Sequence, residues 1–117
     1  MNEAQMKKRT KDFAKGVISL CRILPNNREG RLIGNQLFRS GTSVAANYRA
    51  ACRGRSKAEF VSKLSIVLEE ADESLFWLEI IHEMNISKAP EVHTLIKESD
   101  ELVAIVVSSI KTVRKTM

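Results

Sequence analysis

The residues best placed to do chemistry in this chain are its arginines. Plotted at about 100° per residue, Arg28, Arg31, Arg39, Arg49 and Arg53 share one stripe with Asn35, Thr42 and Ala46, and no carboxylate joins them. A guanidinium presents a planar fork of donors that fits phosphate oxygens, and a row of them gains affinity for a polyanion by releasing its counterions. Arg55 and Lys57 carry the positive charge into the turn that follows. An ordinary surface helix mixes charge signs at i,i+4 spacing to gain a few tenths of a kcal/mol per pair; this stripe repels itself. Three readings stay open: contact with RNA, DNA or another anion, salt bridges between subunits, and plain solvation. Base-specific reading is not supported, because Tyr48, the candidate for stacking, faces the core side.

Catalytic and metal chemistry find less. Glu79-Ile-Ile-His82 matches the Glu-x-x-His element of di-iron bundles, but that site needs a second such pair and two further inward glutamates. Three positions before His93 stands Pro90, so the second pair is missing, and His82 reads as an edge-of-core histidine. His82-Glu83 is no zincin motif, since Ile86 occupies the second histidine position. Ser43 has no nearby base, and no glycine loop is built for phosphate. Cys21 and Cys52 fit no metal spacing and read as small core hydrophobes. The expectation is a non-enzymatic protein with no metal and no cofactor.

The elements that must hold these arginines follow from the breakers. Pro25, Gly54 and Pro90 divide 117 residues into four segments, each long enough for a helix, and no window alternates like a strand. Helices are expected at about 4–24, 28–53, 57–85 and 90–115, in one domain spanning 1–117. Their apolar stripes are Met6, Phe13, Val17, Leu20, Cys21 and Leu24; Ile33, Leu37, Val44, Tyr48 and Ala51; Phe60, Leu64, Val67, Leu68, Ala71, Leu75 and Leu78; and Leu95, Ser99, Leu102, Val106, Ile110 and Val113. Asn27 is placed to cap the second helix, and Ser56 with Glu59 forms a capping box for the third. Short connections between four such helices argue for an all-α, antiparallel up-down-up-down four-helix bundle.

Composition agrees with packed helices: 44% of residues are hydrophobic but only six are aromatic. No run is apolar enough for a membrane span and no signal peptide is visible, so a cytoplasmic protein without membrane contact is expected. The net charge of +5 hides a polarity. Residues 1–57 hold 13 Lys/Arg against 3 Asp/Glu, whereas residues 58–117 hold 6 against 11. An anionic partner for the first half, attraction between the halves, or both would follow.

Two features bear on association. Gly34 and Gly41 interrupt the second helix, where each glycine costs about 1 kcal/mol relative to alanine. They fit either a tight crossing within the chain or a subunit interface, across which Ser43 and Asn47 of the neighbouring polar stripe could hydrogen-bond. On the third helix, Ile66, Trp77 and Ile80 lie opposite the core stripe among Glu69, Glu70 and Glu73. A monomer would expose them together, which suggests self-association.

"LPNNREGRLIGNQLFRSGTSVAANYRAACRGRSKAEF", followed by "LSIVLEEADESLFWLEI", resembles the bacterial four-helix-bundle proteins named for open reading frames in ribosomal RNA intervening sequences. It is also similar to the accessory variability protein of diversity-generating retroelements. The likeness runs over about residues 10–115 and is most specific at Arg39-x-x-x-Ser43-Val44-x-x-Asn47 and the basic turn Arg53-Gly54-Arg55-Ser56. It implies a bundle that assembles as a homopentamer with a basic surface for nucleic acid and, in the retroelement branch, a reverse transcriptase as partner. Arg39, Ser43, Asn47 and Arg55 are the positions carried over. Where many relatives have Ile-Ala-Glu-Gly after the asparagine, this chain has Tyr48-Arg49-Ala50-Ala51, which removes a glutamate and adds a cation.

Overall fold

A computed structural model describes all 117 residues as four α-helices: α1 (Glu3–Ile23), α2 (Arg28–Cys52), α3 (Lys57–Glu83) and α4 (Pro90–Arg114). Each begins and ends for a local reason. The Asn2 side chain accepts from the Gln5 amide while Gln5 reaches back to the Asn2 amide, a complete capping box. Asn27 caps α2 by accepting from Gly30, as its position after Pro25 predicts. Ser56 caps α3 by accepting from Glu59, but the box expected there is half formed: the Glu59 carboxylate accepts from the Arg55 amide at 2.6 Å instead of the Ser56 amide. Pro90 opens α4 at its first turn, where a missing N–H costs nothing.

Consecutive helices pack on one another and α1 closes the ring against α4, along a body 47 × 20 × 19 Å. Contacts run in opposite sequence directions across the two seams of α1. Gly34 faces Leu24 while Gly41 faces Val17; Arg9 meets Glu98 while Gly16 faces Leu95. α1 is therefore antiparallel to α2 and to α4, which is compatible with the up-down bundle expected. The centre is filled by Phe13, Val17, Leu20, Leu37, Val44, Leu64, Val67, Leu78, Ile81, Leu102 and Val106, all essentially out of solvent. Thr10, Ser40, Ser74 and Ser99 are buried with them, and every buried side-chain polar atom has a partner.

Two expectations from the helical projections are corrected. On α3 the buried side is Val61, Leu64, Val67, Ala71, Ser74, Leu78 and Ile81, with Phe60, Leu68 and Leu75 only half-buried. A bundle seam repeats every 3.5 residues, so a stripe drawn at 3.6 drifts by about 20° per heptad and misses both ends of a long helix. For the same reason Ile66, Trp77 and Ile80 do not stand out together in solvent: all three are half-buried, and Trp77 packs against the core. The exposed large apolar side chains of α2 and α3 are Leu32, Phe38 and Phe76, at 56%, 46% and 50% of full exposure.

Candidate functional site

The site is built on α2. Its inner side must fit between α1 and α3, and it does so with small residues. A Cβ on Gly41 would stand 2.7 Å from a Val17 methyl, and one on Gly30 would stand 2.0 Å from the Pro25 carbonyl oxygen. Gly34 lies against Leu24, and its carbonyl accepts from the Cys21 thiol at 3.5 Å. Both glycines singled out in the sequence thus serve a crossing within the chain. On the α3 side, Ser40 is fully buried. The Ser74 hydroxyl lies 2.9 Å from Ser40 Oγ and 2.8 Å from the Glu70 carbonyl, so its one proton serves either, and Ser40 donates to the Leu37 carbonyl. Ser43 and Asn47 are half-buried, and Asn47 donates to the Ser43 carbonyl of its own helix at 2.9 Å.

With that side fixed, the arginines face outward, but not equivalently. Arg39 is paired within the chain: its guanidinium donates to Glu70 at 3.1 Å and also to Glu73 of α3. The same Glu73 oxygen accepts from the Trp77 indole N–H at 3.1 Å. The hydrogen bond from Arg39, helped by that from Trp77, holds the Glu73 carboxyl below its ordinary range, and Glu73 and Glu70 hold Arg39 above its own. The stripe is therefore interrupted at its middle, by carboxylates of a neighbouring helix that a projection of α2 alone does not contain.

The remaining cations have no carboxylate within ion-pair distance. Arg28, Arg31, Arg49, Arg53, Arg55 and Lys57 are exposed and belong to none of the chain's salt bridges. Arg31 donates to Asn26 and Lys57 to Thr116, both neutral partners. At about 1.5 Å per residue, Arg31 and Arg49 are roughly 27 Å apart along α2. The positive surface thus consists of two clusters: Arg28 with Arg31 at one end, and Arg49, Arg53, Arg55 and Lys57 at the other. Helix stability accounts for Arg49 and Arg53, at the C-terminus of α2, and works against Arg28, Arg31 and Lys57, in the first turns of α2 and α3.

No metal-ligand cluster accompanies this surface. His82 and His93 are both exposed, so His82 does not line the core edge as expected; the rings meet edge to face with centroids 4.6 Å apart. They gather no third ligand, and no cluster of three His, Cys, Asp or Glu exists elsewhere in the chain. Cys21 and Cys52 are free, half-buried and on different helices; burial pushes both thiols up, away from the reactive thiolate. Phe38, an exposed aromatic beside the arginines that was not singled out in the sequence, projects at the edge of their stripe, so spacing alone could have found it.

Fold and surface define a small all-helical bundle protein with exposed cations along α2 and the turn that follows it. The chain belongs to the 23S rRNA-intervening sequence protein family, whose sequence profile matches residues 2–108. It is similar, at 32% identity, to a protein of unknown function from the S23 ribosomal protein family of Bacteroides thetaiotaomicron. That crystal structure superposes with a TM-score of 0.86, over 95% of this chain and 99% of that one. No curated protein matches the sequence. The membership agrees with the resemblance drawn from the Arg39–Asn47 segment. No helix is long and apolar enough to cross a membrane.

Proposed function

We propose that the chain is a non-enzymatic, self-associating bundle that binds nucleic acid through the phosphate backbone, using the outer side of α2 and the α2–α3 turn. The observation that carries this reading is the set of six exposed cations, Arg28, Arg31, Arg49, Arg53, Arg55 and Lys57, none paired with a carboxylate. Arg28, Arg31 and Lys57 weigh most, because they sit in the first turn of a helix, where folding alone disfavours them. Contacts of this kind are insensitive to sequence and weaken steeply with salt.

The test is fluorescence anisotropy of a labelled single-stranded RNA and a labelled duplex DNA, titrated across potassium chloride. Four simultaneous phosphate contacts on a single strand give a slope of log K against log salt of about −3. Reversal of Arg28, Arg31, Arg49 and Arg53 to Glu should abolish binding while leaving the helical signal intact. Binding that ignores salt, or survives the reversal, rejects the reading.

A second reading, a scaffold that recruits another protein such as a reverse transcriptase, is favoured by the exposed Leu32, Phe38 and Phe76. Apolar side chains contribute nothing to phosphate contact and form the centre of protein interfaces. The arginine reversal separates the two, since a scaffold that makes only protein contacts on those apolar residues keeps its partner.

A further inference from the structure

The ion pair at the middle of α2 matters to the proposed nucleic-acid surface in a way that neither cluster does. Arg31, Arg39 and Arg49 are spaced at roughly 12 and 15 Å along the helix, so Arg39 is the link between the two free groups of cations. A single strand lying along α2 from one cluster to the other passes over it. In the structure this link is occupied: Glu70 and Glu73 supply carboxylate oxygens to the same guanidinium donors that a phosphate would take. The occupation is reversible in character. Arg39 is about half exposed and Glu73 about a third, so solvent screens their bridge, while Glu70 is the more enclosed of the two carboxylates. A phosphate that also touches the flanking arginines can compete for Arg39.

We propose that Glu70 and Glu73 act as a built-in phosphate mimic that holds Arg39 out of the polyanion track, and that a bound strand displaces them. This rests on the reading of α2 as a phosphate-binding surface and adds a regulatory contact to it. The consequence reaches one residue further. Glu73 holds both Arg39 and the Trp77 indole, so loss of the Arg39 pair alters the environment of the chain's only tryptophan. Phe76, edge to face with Trp77 at 4.9 Å, lies on the same patch. Displacement therefore has an intrinsic optical signal.

The experiment measures the affinity of the whole chain for a labelled single-stranded RNA across salt, together with tryptophan emission on saturation with unlabelled RNA. Four proteins are compared: wild type, Glu70→Gln/Glu73→Gln, the same pair combined with Arg39→Gln, and Asp72→Asn/Glu79→Gln. The last removes equal charge from exposed α3 positions that hold no arginine. The strand meets Arg39 in both wild type and the Glu70→Gln/Glu73→Gln protein, so freeing Arg39 leaves the salt slope unchanged and tightens binding by the cost of the broken pair, at most about fivefold. Adding Arg39→Gln should remove that gain, the charge control should show less of it, and wild-type emission should shift on RNA binding. A gain equal in the charge control, or one that persists without Arg39, overturns the mimic while the phosphate surface stands. Absence of binding by every protein, with helical signal intact, rejects the surface and the mimic together.

Discussion

At Gly41 the absent side chain is what lets α1 and α2 touch, and the stiffness of the opposing residue makes that absence matter. Val17 is fully buried and β-branched, so its methyls, 2.7 and 2.8 Å from the place a Cβ would take, cannot swing away as a lysine end would. Overpacking costs about 1–3 kcal/mol, and the helix gains about 1 kcal/mol from Gly to Ala. Gly41→Ala should therefore lose about 1 kcal/mol net by urea unfolding, and Val17→Ala combined with it should lose less than the two changes added separately. Additive losses would mean that the two side chains do not compete for one space. Glu73 allows a prediction of another kind. Its carboxyl is held below the ordinary 4.5 by the hydrogen bond from Arg39, so the stability this gives is present above 4.5 and disappears as pH falls through the lowered value. Both partners are about a third to a half exposed, which keeps the effect below about 1 kcal/mol. The gap in stability between wild type and Glu73→Gln should close on acidification from pH 7 to 3, and a gap independent of pH would contradict the assignment.

Between elements, the seam that the sequence leaves least visible is α1 against α4. It is the thinnest contact in the ring, and it is held by Arg9, whose Nε and Nη2 donate at 2.7 Å to the two oxygens of Glu98, with Glu101 at 3.2 Å. Only about a quarter of either the Arg9 or the Glu98 side chain is exposed, and a bidentate guanidinium–carboxylate pair is stronger than an ordinary surface bridge. Arg9→Ala should cost about 1–2 kcal/mol by urea unfolding and speed amide exchange in α4 more than in α3. Uniform exchange changes across the four helices would assign Arg9 no special place at that seam. Nothing in a single chain read by periodicity joins residues 89 positions apart, which is why this pair, and Arg39 with Glu70 and Glu73, could not be foreseen. What was legible was governed by local physics: helix bounds within about two residues, because caps and prolines act within one turn, and most of the α1, α2 and α4 cores, because burial follows spacing. Gly41 could be recognised as a close approach, yet Gly30 could not, since its neighbour is the backbone of a turn whose path no pattern encodes.

For the whole molecule, charge polarity and apolar exposure point to the same surfaces. The basic half of the chain forms α1 and α2 and the acidic half forms α3 and α4. Arg9–Glu98 and Arg39–Glu70/Glu73 are where they meet inside one chain, so part of the attraction between halves is satisfied intramolecularly. Leu32, Phe38 and Phe76 remain largely in solvent on α2 and α3, apolar area that burial against a second copy would remove from water at about 25 cal/mol per Å². Self-association through these helices would bring unpaired cations of α2 near the acidic residues of α3 in the next copy, a contact that strengthens as salt is lowered. Light scattering of the wild type at micromolar concentration should accordingly report a mass well above the 13.2 kDa chain. Leu32→Glu/Phe38→Glu/Phe76→Glu should return the mass to that of the chain without loss of helix, because all three positions are exposed and leave the core intact. A wild-type monomer would remove self-association from the proposed function. An oligomer unaffected by the triple change would move its interface to another face of the bundle, with Ile66 and Ile80 the next residues to replace.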